Sequence, residues 1–366
     1  MKVIFPRIIY NKEQLSWDWS GSITNLKQRL QNLVELEEEN IFLDIPMKVH
    51  RKLVSKKVLK NDFNTFILKT ANKKIIPQKQ AIYLTVEEIP FKKNHEIKTY
   101  IYQDLSVAYL KDVAQHQPNL FRYSGFQSIE MRAIDKRLSL QNRFYQEVDK
   151  VFSMSQWLRD YMIENHHLSA DKIVHVGGGI NVDPSTINER NKKGNKFLFV
   201  GKDFIRKGGD LVYHAFCYLQ KNICSEAELY IIGPSELPFE IKNEKVYFLG
   251  SLPADEVQKY FNLCDVFVLP SRFEAYGLVF IEALTFGLPC IGRDIQEMPY
   301  FIDRGKTGEL IEADDEDSTK LAHVMYKVLT DLSYRKNVQE KRSFYLETYH
   351  WEAVANRMLQ VFEEER

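Results

Sequence analysis

Two glutamates flank the start of a predicted helix in the stretch from Val266 to Gly292. The stretch opens with a short apolar run, VFVL, which has the length of a buried parallel strand, and a loop then leads to a helix that begins near Gly277. The first N–H groups of such a helix, at Gly277, Leu278 and Val279, have no partner inside the helix and lie at the positive end of its dipole. These groups attract an anion, and a phosphate is the natural ligand.

The two glutamates limit what such a phosphate could belong to. Glu274 lies in the loop before the helix, and Glu282 lies one turn beyond Leu278 on the same helix face. Carboxylates repel phosphate, but they accept hydrogen bonds from hydroxyl groups. The arrangement therefore suits a nucleotide-sugar, which has a ribose on one side of its phosphates and a hexose on the other. Glutamates are also common near helix starts because the dipole alone favours them.

Three cations occupy one loop earlier in the chain. Phe197 to Val200 reads as a buried strand and Gly201 as a turn, and Lys202, Arg206 and Lys207 follow before the next helix. Cations at the carboxyl end of a strand could neutralise a diphosphate that leaves with negative charge. The alternative is an ordinary solvated loop.

Both segments resemble those of a known family. The stretch PSRFEAYGLVFIEALTFGLPCIG resembles the E(x7)E segment of retaining family-4 glycosyltransferases (glycosyl transferases group 1), and KFLFVGKDFIRKGG resembles their donor-phosphate segment. The resemblance is strong over about residues 196–330 and weaker over residues 1–180, the half that selects the acceptor. It implies an α/β protein of the GT-B fold, with two Rossmann-like domains facing each other across a cleft and a C-terminal helix crossing back to the first domain.

The resemblance also implies roles for individual residues. The family has an arginine and, five residues later, a lysine on the donor phosphates; Lys207 matches the lysine, whereas Lys202 replaces the arginine and lacks its planar fork. Glu274 would hold the transferred sugar and Glu282 the ribose, while the turn around Leu252 would contact the base through its backbone. The predicted catalytic residues are Glu274, Lys207, Lys202 and Asp104. The predicted donor-binding residues are Gly21, Gly201, Lys202, Arg206, Lys207, Gly233, Leu252, Glu274, Ala275, Tyr276, Gly277, Leu278, Val279 and Glu282.

The first half of the chain offers two candidates of its own. Gly21 lies in a turn between a first strand and a long amphipathic helix, which is predicted to be capped near Ser22 or Thr24 and to continue through the ELEEEN segment. Ligands approach such turns in a doubly wound sheet, although a plain turn would look the same. Asp104 follows another strand, where the family often has a histidine. It could orient an acceptor hydroxyl or act as a base, or it could simply cap the next helix.

Strands and helices alternate along the whole chain, which predicts α/β domains. We expect a Rossmann-like acceptor-binding domain over residues 1–183 and a polar, aperiodic linker over residues 184–196. A Rossmann-like nucleotide-sugar-binding domain should follow over residues 197–345, and a helix over residues 346–366 should pack back toward the first domain.

Composition excludes several other classes of protein. The net charge is zero, and the first half is only modestly basic, so nucleic-acid binding is not expected. The four cysteines show no CxxC pairing, and no apolar run is long enough to cross a membrane, which favours a cytoplasmic protein. Asp315 and Asp317 could hold a metal, but they directly precede a helix and suit a cap better. No metal or other cofactor is predicted.

A basic cluster, KVHRKLVSKKVLK from Lys48 to Lys60, could place the protein at the inner face of an anionic membrane. A solvated helix face is the alternative. Taken together, the sequence predicts retaining transfer of a hexosyl unit from a nucleotide-sugar to a hydroxyl of a glycan or lipid-linked acceptor, in cell-surface polysaccharide or glycoconjugate biosynthesis. Two alternatives remain: a nucleotide-sugar epimerase of the GT-B fold, and a non-catalytic partner that binds nucleotide-sugar within a glycosyltransferase complex.

Overall fold

The computed structural model describes residues 1–9, 21–89, 96–188 and 194–365. The chain divides into two compact units, the first formed by Met1–Gly179 with Trp351–Arg366 and the second by Ile180–His350. Each unit contains a six-stranded parallel sheet. The loop predicted before the first helix, at residues 17–20, and part of the predicted linker, at residues 189–193, lie outside the described residues.

The first unit alternates strands and helices. Its strands are β1 (Lys2–Ile9), β2 (Glu35–Phe42), β3 (Ile82–Thr85), β4 (Lys98–Gln103), β5 (Lys150–Ser153) and β6 (Ile173–His175). Its helices are α1 (Ser22–Gln31), α2 (Ile45–Ser55), α3 (Thr65–Ala71), α4 (Val107–His116), α5 (Pro118–Phe121), α6 (Met131–Glu147) and α7 (Gln156–Asn165). The strand order is β2-β1-β3-β4-β5-β6, so the direction of winding reverses between β1 and β3.

The long helix predicted after Gly21 is wrong in its second half. Helix α1 ends at Gln31, and the segment ELEEENIF forms β2, which pairs in parallel with all eight residues of β1. Hydrogen bonding to β1 outweighs the weak helical preference of the glutamates. Since β2 is the edge strand of its sheet, its charges can remain near water, and Glu38 forms an ion pair with Lys27 at 2.7 Å.

The second unit repeats the alternation. Its strands are β7 (Lys196–Val200), β8 (Glu228–Ile232), β9 (Val246–Gly250), β10 (Val266–Val268), β11 (Cys290–Arg293) and β12 (Gly308–Ile311). Its helices are α8 (Gly209–Asn222), α9 (Ala254–Leu263), α10 (Leu278–Thr285), α11 (Met298–Phe301), α12 (Ser318–Thr330), α13 (Leu332–Glu340) and α14 (Arg342–Thr348). The strand order β12-β11-β10-β7-β8-β9 is that of a dinucleotide-binding Rossmann sheet, and the winding reverses between β7 and β10.

Aromatic side chains fill the core around these two central strands. Phe197 on β7 and Phe267 on β10 are fully buried, and Phe280 of α10 meets Phe267 edge to face with the ring centroids 5.4 Å apart. Helix α10 is therefore fixed against the strand that precedes it. This contact holds the start of α10 at the carboxyl edge of the sheet.

The last helix, α15 (Trp351–Glu364), belongs to the first unit. Phe362 packs against Tyr100 of β4 with the ring centroids 4.8 Å apart, and Arg357 donates a hydrogen bond from Nε to the Val176 carbonyl at 2.7 Å. The predicted α/β class is confirmed in both units. Across the described residues, no helix has both the length and the apolar character needed to span a bilayer.

Candidate active site

The two loops singled out in the sequence leave neighbouring strands at the same edge of the second sheet. One loop follows β7 and carries the three cations; the other follows β10 and carries Glu274. Because β7 and β10 are paired in parallel at the point where the winding reverses, their carboxyl ends lie side by side. In open α/β sheets, ligands bind in the crevice outside such a point. The fold thus brings the two loops together.

The centre of this arrangement is an ion pair between Lys207 Nζ and Glu274 Oε2. Glu274 is only 7% exposed, and its Oε2 also accepts a hydrogen bond from Ser271 Oγ at 3.2 Å. Burial lowers the pKa of Lys207, and the neighbouring Arg206 lowers it further, whereas the charge of Glu274 raises it. The site therefore holds a cation and a carboxylate in contact, away from bulk water.

Two glycines let the chain pack closely beside this pair. A Cβ on Gly201 would lie 2.9 Å from Cγ of Lys207, so the lysine stem lies directly against the turn after β7. Gly233, at φ +117°, touches the same turn, since a Cβ there would lie 2.7 Å from the carbonyl carbon of Gly201. Both positions thus require glycine for close approach, and the turns after β7 and β8 are in contact.

The predicted contacts to the donor base lie farther along the same edge. The Gly201 N–H donates to the Ile232 carbonyl and the Gly233 N–H donates to the Gly250 carbonyl, both at 2.8 Å. Leu252 follows Gly250 and is half-buried. The turns after β7, β8 and β9 therefore form one continuous row at the carboxyl edge of the sheet.

Helix α10 begins as the sequence predicts, with Gly277 as its N-cap residue at φ +89° and no side chain capping it. In the part of the chain that the structure describes, the N–H groups of Gly277, Leu278 and Val279 donate no hydrogen bond. A Cβ on Gly277 would lie 3.3 Å from Cγ of Glu274, so the helix start and the glutamate are adjacent. Three donors at the positive end of the helix dipole can therefore receive an anion beside Glu274.

The second glutamate, Glu282, has a backbone partner. Its Oε1 accepts a hydrogen bond from the Asn181 N–H at 3.0 Å, and burial raises the pKa of its carboxyl group. Among the described residues, no hydrogen bond or ion pair joins Glu282 to Glu274 or Lys207. The Glu282 carboxylate is therefore anchored to the backbone of Asn181, at the beginning of the second unit.

The other two cations of the β7 loop differ in their surroundings. Arg206 donates from Nη1 to the Phe273 carbonyl at 3.0 Å and from Nε to Asp203 at 3.2 Å. Part of its guanidinium is therefore already hydrogen-bonded within the protein. Lys202 is exposed, and its ammonium has no partner within the described ranges. Lys202 is thus the cation of this loop that a ligand could reach without breaking an existing contact.

Two further predicted residues of the β10 loop, Tyr276 and Ala275, are at least half-buried. Tyr276 is buried, and its ring meets Phe301 of α11 edge to face with the centroids 5.0 Å apart. Ala275 is half-buried between Glu274 and Tyr276. Tyr276 therefore fixes the end of the loop that carries Glu274.

The two remaining candidates, Gly21 and Asp104, belong to the first unit. Gly21 is the N-cap of α1 in the left-handed conformation, at φ 97°. Asp104 is half-buried between β4 and α4, but Ser106 caps that helix by accepting a hydrogen bond from the Tyr109 N–H at 3.2 Å. The interpretation of Asp104 as a helix cap is therefore wrong. Asp317, by contrast, does cap α12.

Sequence reasoning missed three charged residues that hold the β10 loop: Arg272, which lies in this loop, forms ion pairs with Asp210 and Glu316. Arg272 lies between an apolar strand and a buried glutamate, and a charged residue in such a position is a signal that it has partners. Its partners come from distant segments, so the sequence alone does not identify them.

Two relatives match part of this chain. The chain is 31% identical over 169 residues to an uncharacterized 41.2 kDa protein in the cps region of Klebsiella pneumoniae, and the matched part is 43% of this chain and 46% of that protein. It is 22% identical over 240 residues to the serotype-specific mannosyltransferase WbdA of Escherichia coli, covering 60% of this chain and 29% of WbdA. The chain thus spans less than half the length of either relative.

A solved structure shows the fold. Sucrose-phosphate synthase from Thermosynechococcus elongatus superposes with a TM-score of 0.67 at 16% identity, over 100% of this chain and 98% of that one. The predicted GT-B fold class is confirmed. Residues 185–343 match the family described as glycosyl transferases group 1, and this range holds the ion pair, the glycine turns and the uncapped helix described above. The match to the glycosyl transferases group 1 therefore covers the part of the second unit that carries the candidate site.

Proposed function

We propose that this chain transfers a hexosyl unit from a nucleotide-sugar to a hydroxyl group of a glycan or lipid-linked acceptor. The observation that carries the proposal is the ion pair of Lys207 and Glu274 beside the uncapped start of α10. A diphosphate on the amides of Gly277 to Val279 would lie next to Lys207, and its sugar would meet the carboxylate of Glu274. The match of residues 185–343 to the glycosyl transferases group 1 supports the same chemistry.

Catalysis would depend on stabilising the leaving group. The bond between the anomeric carbon and the diphosphate oxygen breaks, the acceptor oxygen bonds to the same carbon, and the acceptor proton passes to the departing diphosphate. Lys207, the exposed Lys202 and the α10 amides would neutralise the charge that grows on the diphosphate. Retention of the anomeric configuration is part of the proposal and is supported by the resemblance of the E(x7)E segment to retaining enzymes.

Glu282 would bind the ribose through a carboxylate that the protein already holds in place. Its Oε1 accepts from the Asn181 N–H. A ribose hydroxyl would therefore either use the other carboxylate oxygen or replace this backbone contact. Asp104, in the first unit, would orient the acceptor hydroxyl. The donor and acceptor functions are thus assigned to residues in different units of the chain.

A thermal-shift panel of UDP-, GDP- and dTDP-sugars tests the donor class, because a ligand that binds only the folded state raises the melting temperature by mass action. We expect one nucleotide series to stabilise the protein and to be consumed when acceptor is present. Conversion of the donor without acceptor would indicate an epimerase instead. Saturable binding with no turnover in any acceptor extract would indicate a non-catalytic protein.

The relatives support a role in surface polysaccharide synthesis. One is encoded in a cps region, and another is named as a serotype-specific mannosyltransferase. These names describe the relatives, and for this chain they support transfer of mannose or another hexose onto a polysaccharide. GDP-mannose is accordingly the first donor to include in the panel.

Contact with an anionic membrane is part of the proposal, and helix α2 supports it. Ile45 and Val49 on this helix are 77% and 50% exposed, and Val58 just after it is 66% exposed. Lysines alternate with these apolar side chains along the Lys48–Lys60 cluster. Exposed apolar groups interleaved with cations are typical of surfaces that lie on anionic headgroups.

A further inference from the structure

Two arginines, one in each loop, join the loop after β7 to the loop after β10. Arg206 belongs to the first loop and donates from Nη1 to the Phe273 carbonyl of the second at 3.0 Å. Arg272 belongs to the second loop, and its backbone N–H donates to the Arg206 carbonyl at 2.8 Å. Lys207 follows Arg206, and Glu274 follows Phe273. The ion pair therefore lies one residue beyond each point of attachment.

All five N–H donors of the Arg272 side chain are engaged. Nε donates to Glu316 Oε1 at 2.9 Å, Nη1 donates to Asp210 at 2.7 Å and to the Ile205 carbonyl, and Nη2 donates to Asp210 at 3.1 Å and to Glu316 Oε2. Arg272 is 5% exposed, and its guanidinium has no donor left for a ligand. Arg272 can therefore influence the donor only through the loops that it holds.

The partners of Arg272 connect three segments of the second unit. Asp210 lies in the first turn of α8 and Ile205 lies in the β7 loop, whereas Glu316 lies before α12. Glu316 also accepts from Arg293 Nη2 at 3.1 Å, and Arg293 donates to the carbonyls of Ala313 and Asp315 at 2.9 Å. Two cations and two carboxylates alternate in this chain of contacts, so their charges balance.

We propose that Arg272 is a positioning residue that keeps Lys207 and Glu274 assembled in contact before the donor binds. The inference rests on the proposed function for its catalytic consequence. A planar fork that binds two carboxylates and a carbonyl fixes both loops at once, which a flexible single-point cation cannot do. Preorganisation of this kind fixes Lys207 and Glu274, which act where the bonds change. The contacts assigned to the base and the ribose of the donor are made by other residues, Leu252 and Glu282.

The test compares Arg272→Lys with Arg304→Lys. Arg304 is an exposed arginine of the same unit and pairs with Asp294 at 2.8 Å, so its replacement is a matched control for loss of a guanidinium. We expect kcat to fall by about tenfold or more in Arg272→Lys, with the donor KM changed by less than about threefold. The Arg304→Lys protein should keep both constants. Unchanged kcat in Arg272→Lys would overturn the proposal.

Hydrogen exchange gives a readout that needs no substrate. Amides of residues 203–208 and 271–277 should exchange about tenfold faster in Arg272→Lys than in the wild type, while amides of the first unit keep their rates. Exchange that is unchanged in both loops would overturn the proposal. If the wild type transfers no sugar but the exchange difference is found, positioning stands and the proposed function fails. If the wild type is active and Arg272→Lys has the same activity, the positioning role is wrong while the proposed function stands.

A second variant keeps the test decisive if Arg272→Lys does not fold. Glu316 has a side chain that is 47% exposed, so Glu316→Gln is tolerable to the fold while it removes one of the two carboxylates that hold Arg272. We expect changes in kcat and loop exchange in the same direction as for Arg272→Lys, but smaller, because Asp210 still holds the guanidinium. Wild-type kcat together with wild-type loop exchange in this variant would count against the proposal.

Discussion

The pair of Lys207 and Glu274 shows how a buried ion pair can be ready for function without a ligand. Each charge compensates the other, and Ser271 adds a hydrogen bond to the carboxylate. Buried pairs contribute little net stability, but removing one partner leaves the other charge uncompensated. A donor phosphate could take over part of the role of Glu274 toward Lys207, which would release carboxylate oxygens for sugar hydroxyls.

Glu274→Gln tests this interpretation while it keeps the size of the side chain. We expect kcat to fall by about 100-fold or more, the scale of losing one preorganised electrostatic group. The free energy of unfolding should fall by about 1–3 kcal/mol because Lys207 loses its counter-charge. Steady-state kinetics and urea unfolding measure the two effects. The control is Glu256→Gln, which removes an exposed partner of Lys259. Turnover like that of the wild type in Glu274→Gln would end the mechanistic assignment.

Gly277 offers a second test, because its backbone conformation favours glycine and its surroundings are crowded. In Gly277→Ala the Cβ would lie 2.7 Å from Cε of Met298, at φ +89°. Gly305→Ala is a matched control, since Gly305 has φ +79° and no atom within 4 Å of a built Cβ. We expect each to pay a conformational cost of about 1 kcal/mol. Gly277→Ala should lose more stability and, in addition, donor affinity by calorimetry. Equal losses in both proteins would show that crowding at the helix start is unimportant.

The residues that could be read from the sequence are those whose role depends on their immediate neighbours in the chain. Gly277 and the amides after it were predicted from a helix start, and the structure leaves them uncapped. Lys207 and Glu274 were each singled out, but their contact was not, because it depends on β7 and β10 being adjacent in the sheet. Arg272 was missed for the same reason, since its partners lie in α8 and before α12.

At the scale of elements, the bounds of strands and helices depend on pairing that no local pattern reveals. The segment ELEEENIF has the composition of a helix but forms β2, because β1 offers a full row of hydrogen-bonding groups beside it. By contrast, the buried strands of the second unit are short apolar runs, and the run predicted from Phe197 to Val200 forms β7, which begins one residue earlier, at Lys196. Local prediction thus works best for central strands and worst at the sheet edge.

The exposed apolar side chains of helix α2 lead to a prediction about membrane binding. Replacement of Ile45 and Val49 by serine should lower binding to vesicles containing phosphatidylglycerol by about tenfold, since each removes exposed apolar surface that would enter the headgroup region. Co-sedimentation at low and high salt measures it, and neutral phosphatidylcholine vesicles should bind weakly. Leu332→Ser is the control, because Leu332 is 67% exposed in the second unit. Wild-type binding by the double variant, or no binding by the wild type, would remove membrane contact from the proposal.

For the molecule as a whole, the alternation of strands and helices predicted the α/β class, but it could not give the order of the strands. That order decides which loops share an edge: β10 follows β9 in the chain but pairs with β7. The resemblance to a family supplied this information indirectly. The division of the chain between Gly179 and Ile180 falls just before the predicted linker, in a segment whose apolar residues gave no sign of a boundary.

Acid stability is a property of the whole folded chain that two histidines of the first unit should influence. Burial lowers the pKa of His166 and of His175 to about 4 in the folded protein, whereas an unfolded histidine has a pKa of about 6.5. Between pH 6.5 and 4 the unfolded chain therefore binds more protons than the folded chain. The free energy of unfolding must then fall as the pH falls through this window.

We expect each histidine to account for about 1–2 kcal/mol of this loss, after allowance for partial contact with solvent. His166→Gln and His175→Gln should each flatten the dependence of the free energy of unfolding on pH, which urea titrations at pH 7 and pH 4.5 measure. His116→Gln is the control, because His116 is an exposed residue whose side chain is 68% accessible. Carboxylates also contribute to acid unfolding, but they do so equally in all of these proteins and cancel in the comparison. A slope in both buried-histidine variants equal to that of the wild type would show that neither histidine stays neutral through burial.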